Sequence, residues 1–313
     1  MYRLLQLSDI HYGKSHAFAQ DGRPPTARPF DEAIRRGLIE AEIDVGFDAL
    51  IVSGDIFDRR EANERTEARL QLQQLATDLE VERTIVVPGN HDVDWDADPT
   101  EKMHDYDALV RAIEATGTSD DLPTVTVMER DGLKPLALLG LDSCQIESKR
   151  QRGLGCVGAL QLDTLAGRIT ELSVTPQTHT IVAILHHHLL PVATVPVLPL
   201  TANPEDAERL MVSVTVDAST VLHRLSELGT SLVLHGHQHV SAVMQHRLLR
   251  DETKPLYVAA AGSAGISRPD QRRQFYVWTI GDDRFRGESL RHRDDDPSRF
   301  ERDQQNSVDI SLS

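Results

Sequence analysis

The chain has 313 residues, which is enough for one large domain or two ordinary ones with a full hydrophobic core. Asp and Glu number 49 against 33 Lys and Arg, so the formal net charge is −16. This charge argues against extended binding to nucleic acid, which rests on a basic surface that releases counterions. A small anionic substrate stays compatible with the composition if bound cations reverse the local charge.

The sequence has no features of a membrane or exported protein. No uninterrupted apolar stretch approaches the roughly 20 residues of a membrane-spanning helix. The first residues, MYRLLQLSDIHYG, lack the layout of a signal peptide. The two cysteines, Cys144 and Cys156, cannot make a disulfide framework and have no CxxC spacing. We therefore expect no membrane partner and a cytoplasmic location.

Short apolar runs alternate with amphipathic segments over the first three quarters of the chain. The predicted strands are 3–7, 48–53, 84–88, 135–141, 180–185 and 231–235. The predicted helices are 31–45, 61–80, 159–172 and 217–228. After residue 240, closely spaced strand candidates predict hairpins of an antiparallel sheet, and they are 241–249, 255–262 and 274–280. The alternation predicts an α/β fold of two packed sheets flanked by helices.

The C-terminal part of the sequence is much more polar than the rest. We predict one domain over residues 1–281 and a poorly ordered tail over 282–313, where apolar residues are sparse. Two segments are expected to border the site, and they are the loop 12–30 and the acidic insertion 93–107. Loops as long as 12–30 and 189–216 often act as lids or interfaces of a compact domain. For 189–216 the sequence leaves open a substrate lid or a homodimer contact.

Five of the six predicted strands are followed by residues of the types that bind metals. In chain order these are Asp9 and His11; Asp55 and Asp58; Asn90, His91 and Asp92; His186, His187 and His188; His237 and His239. Taken singly, each group is also compatible with a turn or a helix cap. Together they converge, because ligands of α/β sheets bind outside the carboxyl ends of the strands. Carboxylate, amide and imidazole donors without thiolate suit hard or borderline divalent cations, and the set exceeds the needs of one tetrahedral zinc.

Five blocks of the sequence resemble those of the calcineurin-like metallophosphoesterases. The blocks are DIH (9–11), GDIFD (54–58), GNHD (89–92), HHHLLP (186–191) and GHQH (236–239). The resemblance implies a four-layer αββα sandwich with a centre of two divalent metal ions, Mn²⁺ foremost, with Fe or Zn as alternatives. It implies that one metal is held by Asp9, His11 and His239, the other by Asn90, His186 and His237, and that Asp55 bridges them.

The resemblance also implies a reaction and two residues that assist it. A metal-bridging hydroxide would attack a phosphodiester in line, His91 would face the leaving group, and Asp58 would hydrogen-bond His91. Among the three adjacent histidines, His186 is chosen by strand register, and its two neighbours stay open as ligands. The expected partner is a small phosphoester or nucleotide.

Within the family, the segments LHHHLLP and GLGCVGALQLDTL are most similar to the class III cyclic nucleotide phosphodiesterases. Three alternatives stay open because fold and metal centre do not fix the substrate. They are a DNA or RNA exonuclease, a phosphomonoesterase, and a metal-bound scaffold without catalysis. His91 and Asp58 argue against the scaffold, because a binding module has no use for a leaving-group histidine.

Overall fold

The computed structural model describes residues 1–13, 16–18, 28–59, 61–98, 100–148, 151, 153–192, 214–247, 255–266, 272–296 and 298–312. Most of the loops predicted at 12–30 and 189–216 lie outside the described residues, so their roles stay predictions. In the described part of the chain, no helix is both long and apolar enough to cross a membrane.

The described residues form five α-helices and twelve strands. The helices are α1 (Arg28–Glu40), α2 (Ala62–Asp78), α3 (His104–Ala112), α4 (Ala159–Glu171) and α5 (Ala218–Glu227). The first six strands are β1 (Tyr2–Leu7), β2 (Ala49–Ser53), β3 (Thr84–Val87), β4 (Thr124–Met128), β5 (Leu136–Gly140) and β6 (Thr180–Ile184). The other six are β7 (Leu232–His235), β8 (Ala242–His246), β9 (Leu256–Ala260), β10 (Gln274–Ile280), β11 (Arg284–His292) and β12 (Phe300–Ser311).

The strands form two mixed sheets of six. The first has the order β12-β11-β10-β1-β2-β3, in which β1, β2 and β3 are parallel and the other three strands are antiparallel to their neighbours. The second has the order β4-β5-β6-β7-β9-β8, with four parallel strands between antiparallel edge strands. The parallel strands of each sheet all have their carboxyl ends on the same side of that sheet. The predicted ligands directly follow these strand ends.

The hydrophobic core has three layers, as a four-layer sandwich requires. Alternate residues of a strand point to opposite faces, so Leu4 of β1 packs between the sheets while Leu5 packs beneath the helices of the first sheet. Helices α1, α2 and α3 cover that outer face. Helices α4 and α5 cover the outer face of the second sheet through residues such as Leu165 and Leu225. The predicted αββα sandwich of two mixed sheets flanked by helices is confirmed.

Residues 282–313, predicted as a poorly ordered tail, instead form β11 and β12 at the edge of the first sheet, and the boundary at residue 281 is corrected accordingly. Many of the polar residues of this hairpin face outward, where Arg284 pairs with Asp309 and Arg291 with Glu301. An edge hairpin with one covered face needs few apolar residues. Those that are buried here are Phe285, Leu290, Phe300, Ile310 and Leu312.

Three other elements differ from the prediction. No sequence pattern predicts β4, a half-exposed edge strand, or α3, which begins inside the acidic insertion. Only β8 and β9 form the predicted antiparallel hairpin, and β9 also runs parallel to β7. Strand β10 leaves this sheet and pairs with β1 of the other one. These pairings join strands far apart in sequence, which local periodicity does not encode.

The Phe300→Ala variant tests whether the C-terminal hairpin is part of the core. Phe300 is fully buried and its ring lies 4.9 Å from that of Phe275, and the absence of a side chain at Gly37 lets α1 pack directly on it. Removing a buried phenyl ring costs about 3–5 kcal/mol, so the free energy of unfolding in urea should fall by that amount. The exposed Gln304→Ala substitution in the same strand is the control. Equal stability of the two variants would show that the hairpin does not contribute to the core.

Candidate metal centre

The predicted ligands meet where the carboxyl ends of the parallel strands of both sheets converge. Five of the residues at these strand ends have left-handed backbone, with φ of 50° at Asp9, 48° at His11, 55° at Asp55, 81° at His237 and 57° at His239. Such φ values are costly for residues other than glycine, and they cluster at functional sites, where the surrounding structure enforces them. Here the sharp turns direct each side chain back across the end of its own strand.

Asp9, His11 and His239 form the first ligand group. The Nε2 atoms of His11 and His239 are 3.0 Å apart, and Asp9 Oδ1 lies 3.3 Å from His239 Nε2 and 3.9 Å from His11 Nε2. The other oxygen of Asp9 accepts hydrogen bonds from the Ser8 hydroxyl at 2.6 Å and the His237 main-chain N–H at 2.9 Å. The carboxylate is therefore fixed, with Oδ1 facing the two imidazoles.

Asn90, His186 and His237 form the second group, with Asp55 between the two. Asn90 Oδ1 lies 3.1 Å from His237 Nδ1 and 3.3 Å from His186 Nε2. Asp55 Oδ2 is 3.4 Å from His186 Nε2 and 3.6 Å from His11 Nε2. Thus one carboxylate oxygen touches both groups, while Asp55 Oδ1 accepts the His91 main-chain N–H at 2.8 Å.

The chemistry of these atoms fits a pair of cations. Asp9 Oδ1 is buried and has no hydrogen-bond partner within the described part of the protein. His186 donates from Nδ1 to the Ser53 carbonyl at 2.8 Å, which leaves the Nε2 lone pair directed at Asp55 and Asn90. A partner that fixes one ring nitrogen while the other binds metal is the usual arrangement around ligating histidines. Oxygen and nitrogen atoms that offer lone pairs, lack hydrogen-bond partners and face one another are stabilised by a cation between them.

The titration of the buried groups favours positive charge at the centre. Burial lowers the pKa of both His11 and His237 to about 3, so each imidazole is neutral and offers a lone pair. For His186, burial opposes charge, but the Asp55 carboxylate beside it raises the pKa to about 10. Burial likewise opposes ionisation of Asp55, yet His186 and His91 hold its pKa well below the ordinary value. A positive charge, carried by a proton or a metal ion, is therefore favoured next to Asp55.

His91 lies beside the two groups without belonging to either. Its ring centroid is 4.6 Å from that of His11, and the side chain is only partly buried. Its Nδ1 donates to the main-chain carbonyl of Asp58 at 3.0 Å. The predicted pairing of Asp58 with His91 therefore uses the carbonyl, while the Asp58 carboxylate stands within 4.8 Å of the ligand nitrogens of His11 and His91. The hydrogen bond leaves Nε2 of His91 as the atom that can reach a substrate.

The neighbours of His186 lie close to the centre as well. His187 shares a 2.9 Å hydrogen bond between its Nδ1 and the Ser143 hydroxyl, and its ring is 4.5 Å from that of His237. His188 turns to the other side and packs against His235, with ring centroids 4.4 Å apart. Of the three adjacent histidines, His186 is the one that contacts both Asp55 and Asn90, which supports the choice made from strand register.

Three residues near the centre were not assigned roles from the sequence. Asp92 is fully buried and its carboxylate accepts the main-chain N–H groups of Ile56, Phe57 and Gly89. It thereby joins the loop that carries Asp55 to the loop that carries Asn90 and His91. Its place in the GNHD block was the only sequence signal. Trp95 and Glu147 lie near the site as well. Trp95 belongs to the acidic insertion that was expected to border the site, whereas no sequence pattern marks Glu147.

The Asp92→Asn variant tests this connection between the two loops. The amide keeps one acceptor oxygen but turns an NH₂ group toward at least one N–H donor, and a buried unsatisfied group costs about 1–3 kcal/mol. We expect a lower thermal midpoint and a lower metal affinity, measured by calorimetry and metal titration. Ser119 binds the carboxylate of Asp107 in a similar but remote contact, so Asp107→Asn is the control. Unchanged metal affinity in Asp92→Asn would remove the residue from the site.

Comparison with known proteins places the chain in a family. Three solved structures are similar to it at low sequence identity. Phosphopantetheinyl hydrolase (PptH) from Mycobacterium tuberculosis is 16% identical, with 83% of this chain and 89% of that chain covered and a TM-score of 0.47. Vps29 from Chaetomium thermophilum is 9% identical, with 100% of both chains covered and a TM-score of 0.42. A 5'-nucleotidase precursor from Thermus thermophilus is 12% identical, with 92% of this chain and 54% of that chain covered and a TM-score of 0.48. A comparison with curated proteins gives no match. The sequence profile described as calcineurin-like phosphoesterase matches residues 2–241. With that match covering most of its length, the chain belongs to the calcineurin-like phosphoesterase family.

Proposed function

We propose that this protein is a metal-dependent phosphoesterase that hydrolyses phosphodiester bonds, with cyclic nucleotides among its candidate substrates. The observation that carries the proposal is the placement of His91. Its ring lies 4.6 Å from that of His11, and the Asp58 carbonyl holds its Nδ1, so Nε2 is the ring nitrogen that remains for a substrate. Membership of the family supports a phosphoester hydrolase, and preference for diesters is the further step that we propose.

In this proposal the two ligand groups each hold one divalent cation. The ligands of one are Asp9, His11 and His239; those of the other are Asn90, His186 and His237; Asp55 serves both. Two metals in such an arrangement lower the pKa of water and stabilise the attacking and leaving oxygens of an in-line displacement. Manganese is the proposed native ion, and iron or zinc suits the same mixed nitrogen and oxygen donors.

In the proposed reaction, His91 acts on the phosphoryl group or the leaving group, and Asp58 positions His91. The Asp58 carbonyl fixes the His91 ring with Nδ1 protonated. Burial disfavours the charged ring, but the Asp55 carboxylate and the Asp58 carbonyl raise the pKa of His91 above its ordinary value. A protonated His91 can stabilise a phosphoryl oxygen or donate its Nε2 proton to the departing alkoxide. The hydrogen bond from the His91 main-chain N–H to the Asp55 carboxylate holds His91 next to the candidate bridging ligand.

The alternatives differ from this proposal in what the site must accept. An exonuclease requires a path for a polyanionic strand, which the net charge of −16 opposes. A phosphomonoesterase would use the same ligands, so only kinetics separates it from a diesterase. A metal-bound scaffold gives no role to His91. A cytoplasmic location and a homodimer are further proposals that rest on the sequence alone.

The proposal is tested with metal-stripped protein to which manganese is returned. Bis(p-nitrophenyl) phosphate, p-nitrophenyl phosphate and 3',5'-cyclic adenosine monophosphate are assayed in parallel. We expect diester turnover that depends on added manganese and exceeds monoester turnover. Faster monoester turnover would favour the phosphomonoesterase, and silence on all three esters with metal bound would contradict the proposed function.

A further inference from the structure

The acidic insertion places a tryptophan beside His91. Trp95 lies four residues after His91, and their ring centroids are 6.1 Å apart with the planes inclined at 65°. One part of the indole packs against the core beneath the helices of the first sheet. The remainder is exposed. The indole therefore lies beside His91, the residue that faces the leaving group in the proposed function.

Glu147 lies between Trp95 and the second ligand group. It is 5% exposed. Burial raises the pKa of its carboxyl to about 8, and the nearby indole N–H of Trp95 opposes that rise. The same carboxyl lies 3.4 Å from His187 Nε2, and the His187 ring packs against His237. A series of neighbouring side chains thus connects Trp95 with the second ligand group, so Glu147 is placed to hold the indole in position.

The surface around Trp95 is strongly negative. The insertion 93–107 contains six carboxylates and one lysine. Asp96 and Asp98, shortly after Trp95, are exposed. Lys102 directs its ammonium group to the Gln145 carbonyl, 3.4 Å away. Both carboxylates are within three residues of Trp95, so a leaving group packed on the indole would lie near negative charges, which repel a further phosphate.

We propose that Trp95 determines specificity by stacking on a planar aromatic ring in the leaving group, and that the carboxylates after it exclude leaving groups with an additional phosphate. This inference rests on the proposed function and narrows its substrate class to aryl or nucleoside esters of a single phosphate group. Glu147 is a positioning residue, because it acts through Trp95 and does not touch the substrate.

The first test compares two methyl phosphodiesters in the manganese-loaded enzyme. One has phenol as its leaving group, and the other has a fluorinated alkanol of similar acidity. Trp95→Leu should lower kcat/KM for the phenyl diester by about 10-fold to 100-fold more than for the alkyl diester, the size expected for loss of a stacked ring. Trp95→Phe keeps a flat ring and should retain most of the preference. Equal losses on both diesters, or none, would overturn the inference.

A binding measurement separates this inference from the proposed function, because it needs no turnover. Phenyl phosphate and cyclohexyl phosphate are titrated into manganese-loaded protein while tryptophan fluorescence is recorded. The protein has two tryptophans, and Trp278 is fully buried, so quenching reports on Trp95. We expect tighter binding of phenyl phosphate by about 10-fold or more. In Trp95→Leu, which lacks the fluorescent reporter, the two affinities are measured by calorimetry, and the preference for phenyl phosphate should be lost. Equal affinities, or a preference that survives in that variant, would overturn the inference even if the enzyme hydrolyses diesters.

The exclusion by charge has its own comparison. Phenyl phosphate should bind more tightly than 1,4-phenylene bisphosphate, and the double substitution of Asp96 and Asp98 by asparagine should reduce the difference. Equal affinities of the wild-type protein for phenyl phosphate and 1,4-phenylene bisphosphate would overturn the role of the carboxylates.

The role of Glu147 is tested by rescue. Glu147→Leu removes the carboxyl near the indole N–H of Trp95 and should reduce the preference for the phenyl diester. Glu147→Gln restores an acceptor oxygen of similar reach and should restore the preference. The same loss in both variants, or none in either, would overturn the positioning role.

Discussion

The Asp55→Asn variant should lose phosphoester hydrolysis by on the order of 10³-fold or more, as expected when a shared ligand of two metals is weakened. The substitution removes the charge that both ligand groups share and keeps the size of the side chain. Asp55 Oδ2 lies within 3.6 Å of one imidazole from each group. We therefore expect bound manganese, measured by mass spectrometry, to fall together with turnover.

An Asp→Asn substitution on the protein surface is the control for the loss of a carboxylate. Asp163 pairs with Arg224 on the exposed faces of α4 and α5, and Asp163→Asn should leave metal content and turnover unchanged. Full metal content with normal hydrolysis in Asp55→Asn would show that Asp55 does not bridge the metals.

The His91→Asn variant should reduce kcat by about 10²-fold to 10⁴-fold, the usual contribution of a positioned proton donor, while both metals stay bound. Its side chain touches the first ligand group but is not part of it. The pH dependence follows from the direction of the pKa shift. Burial opposes the charged ring, but the Asp55 carboxylate and the Asp58 carbonyl outweigh it and raise the pKa of His91 above its ordinary value, so the ring stays protonated to higher pH than a free histidine and loses its proton as the pH rises further. The wild-type rate should fall along that alkaline limb, and the variant should lack the limb.

The exposed His223, which pairs with Glu227 on α5, supplies the matched control. His223→Asn should keep the wild-type rate and pH profile. A loss of metal in His91→Asn that equals its loss of turnover would give this residue a ligand role instead.

Much of the candidate metal centre could be predicted from the sequence, because its residues directly follow predicted strands. Buried strands are continuous apolar runs, and the carboxyl ends of parallel strands share an edge, so local sequence places Asp9, Asp55 and Asn90 together. Histidines after β6 and β7 follow from the same rule. Which of the three adjacent histidines faces Asp55 depends on strand register, and the structure places His186 there because β6 ends one residue before Leu185.

The remaining features depend on contacts that local patterns do not encode. The hairpin of β11 and β12 was missed because one covered face at a sheet edge requires only a few large apolar side chains, spread over many polar residues. Strand β10 joins the first sheet through pairing with β1, which lies at the other end of the chain. Asp58 binds His91 through its carbonyl, which depends on backbone geometry, and Trp95 meets Glu147 only after two loops fold together.

The most direct test of the account is the rate of diester hydrolysis as a function of metal bound per chain. Metal-stripped protein is titrated with manganese, and bound metal and turnover are measured on the same samples. The account predicts that turnover follows the occupancy of a second ion and is lost with chelator. Full turnover with one ion per chain, or two bound ions with no hydrolysis of any phosphoester, would contradict it.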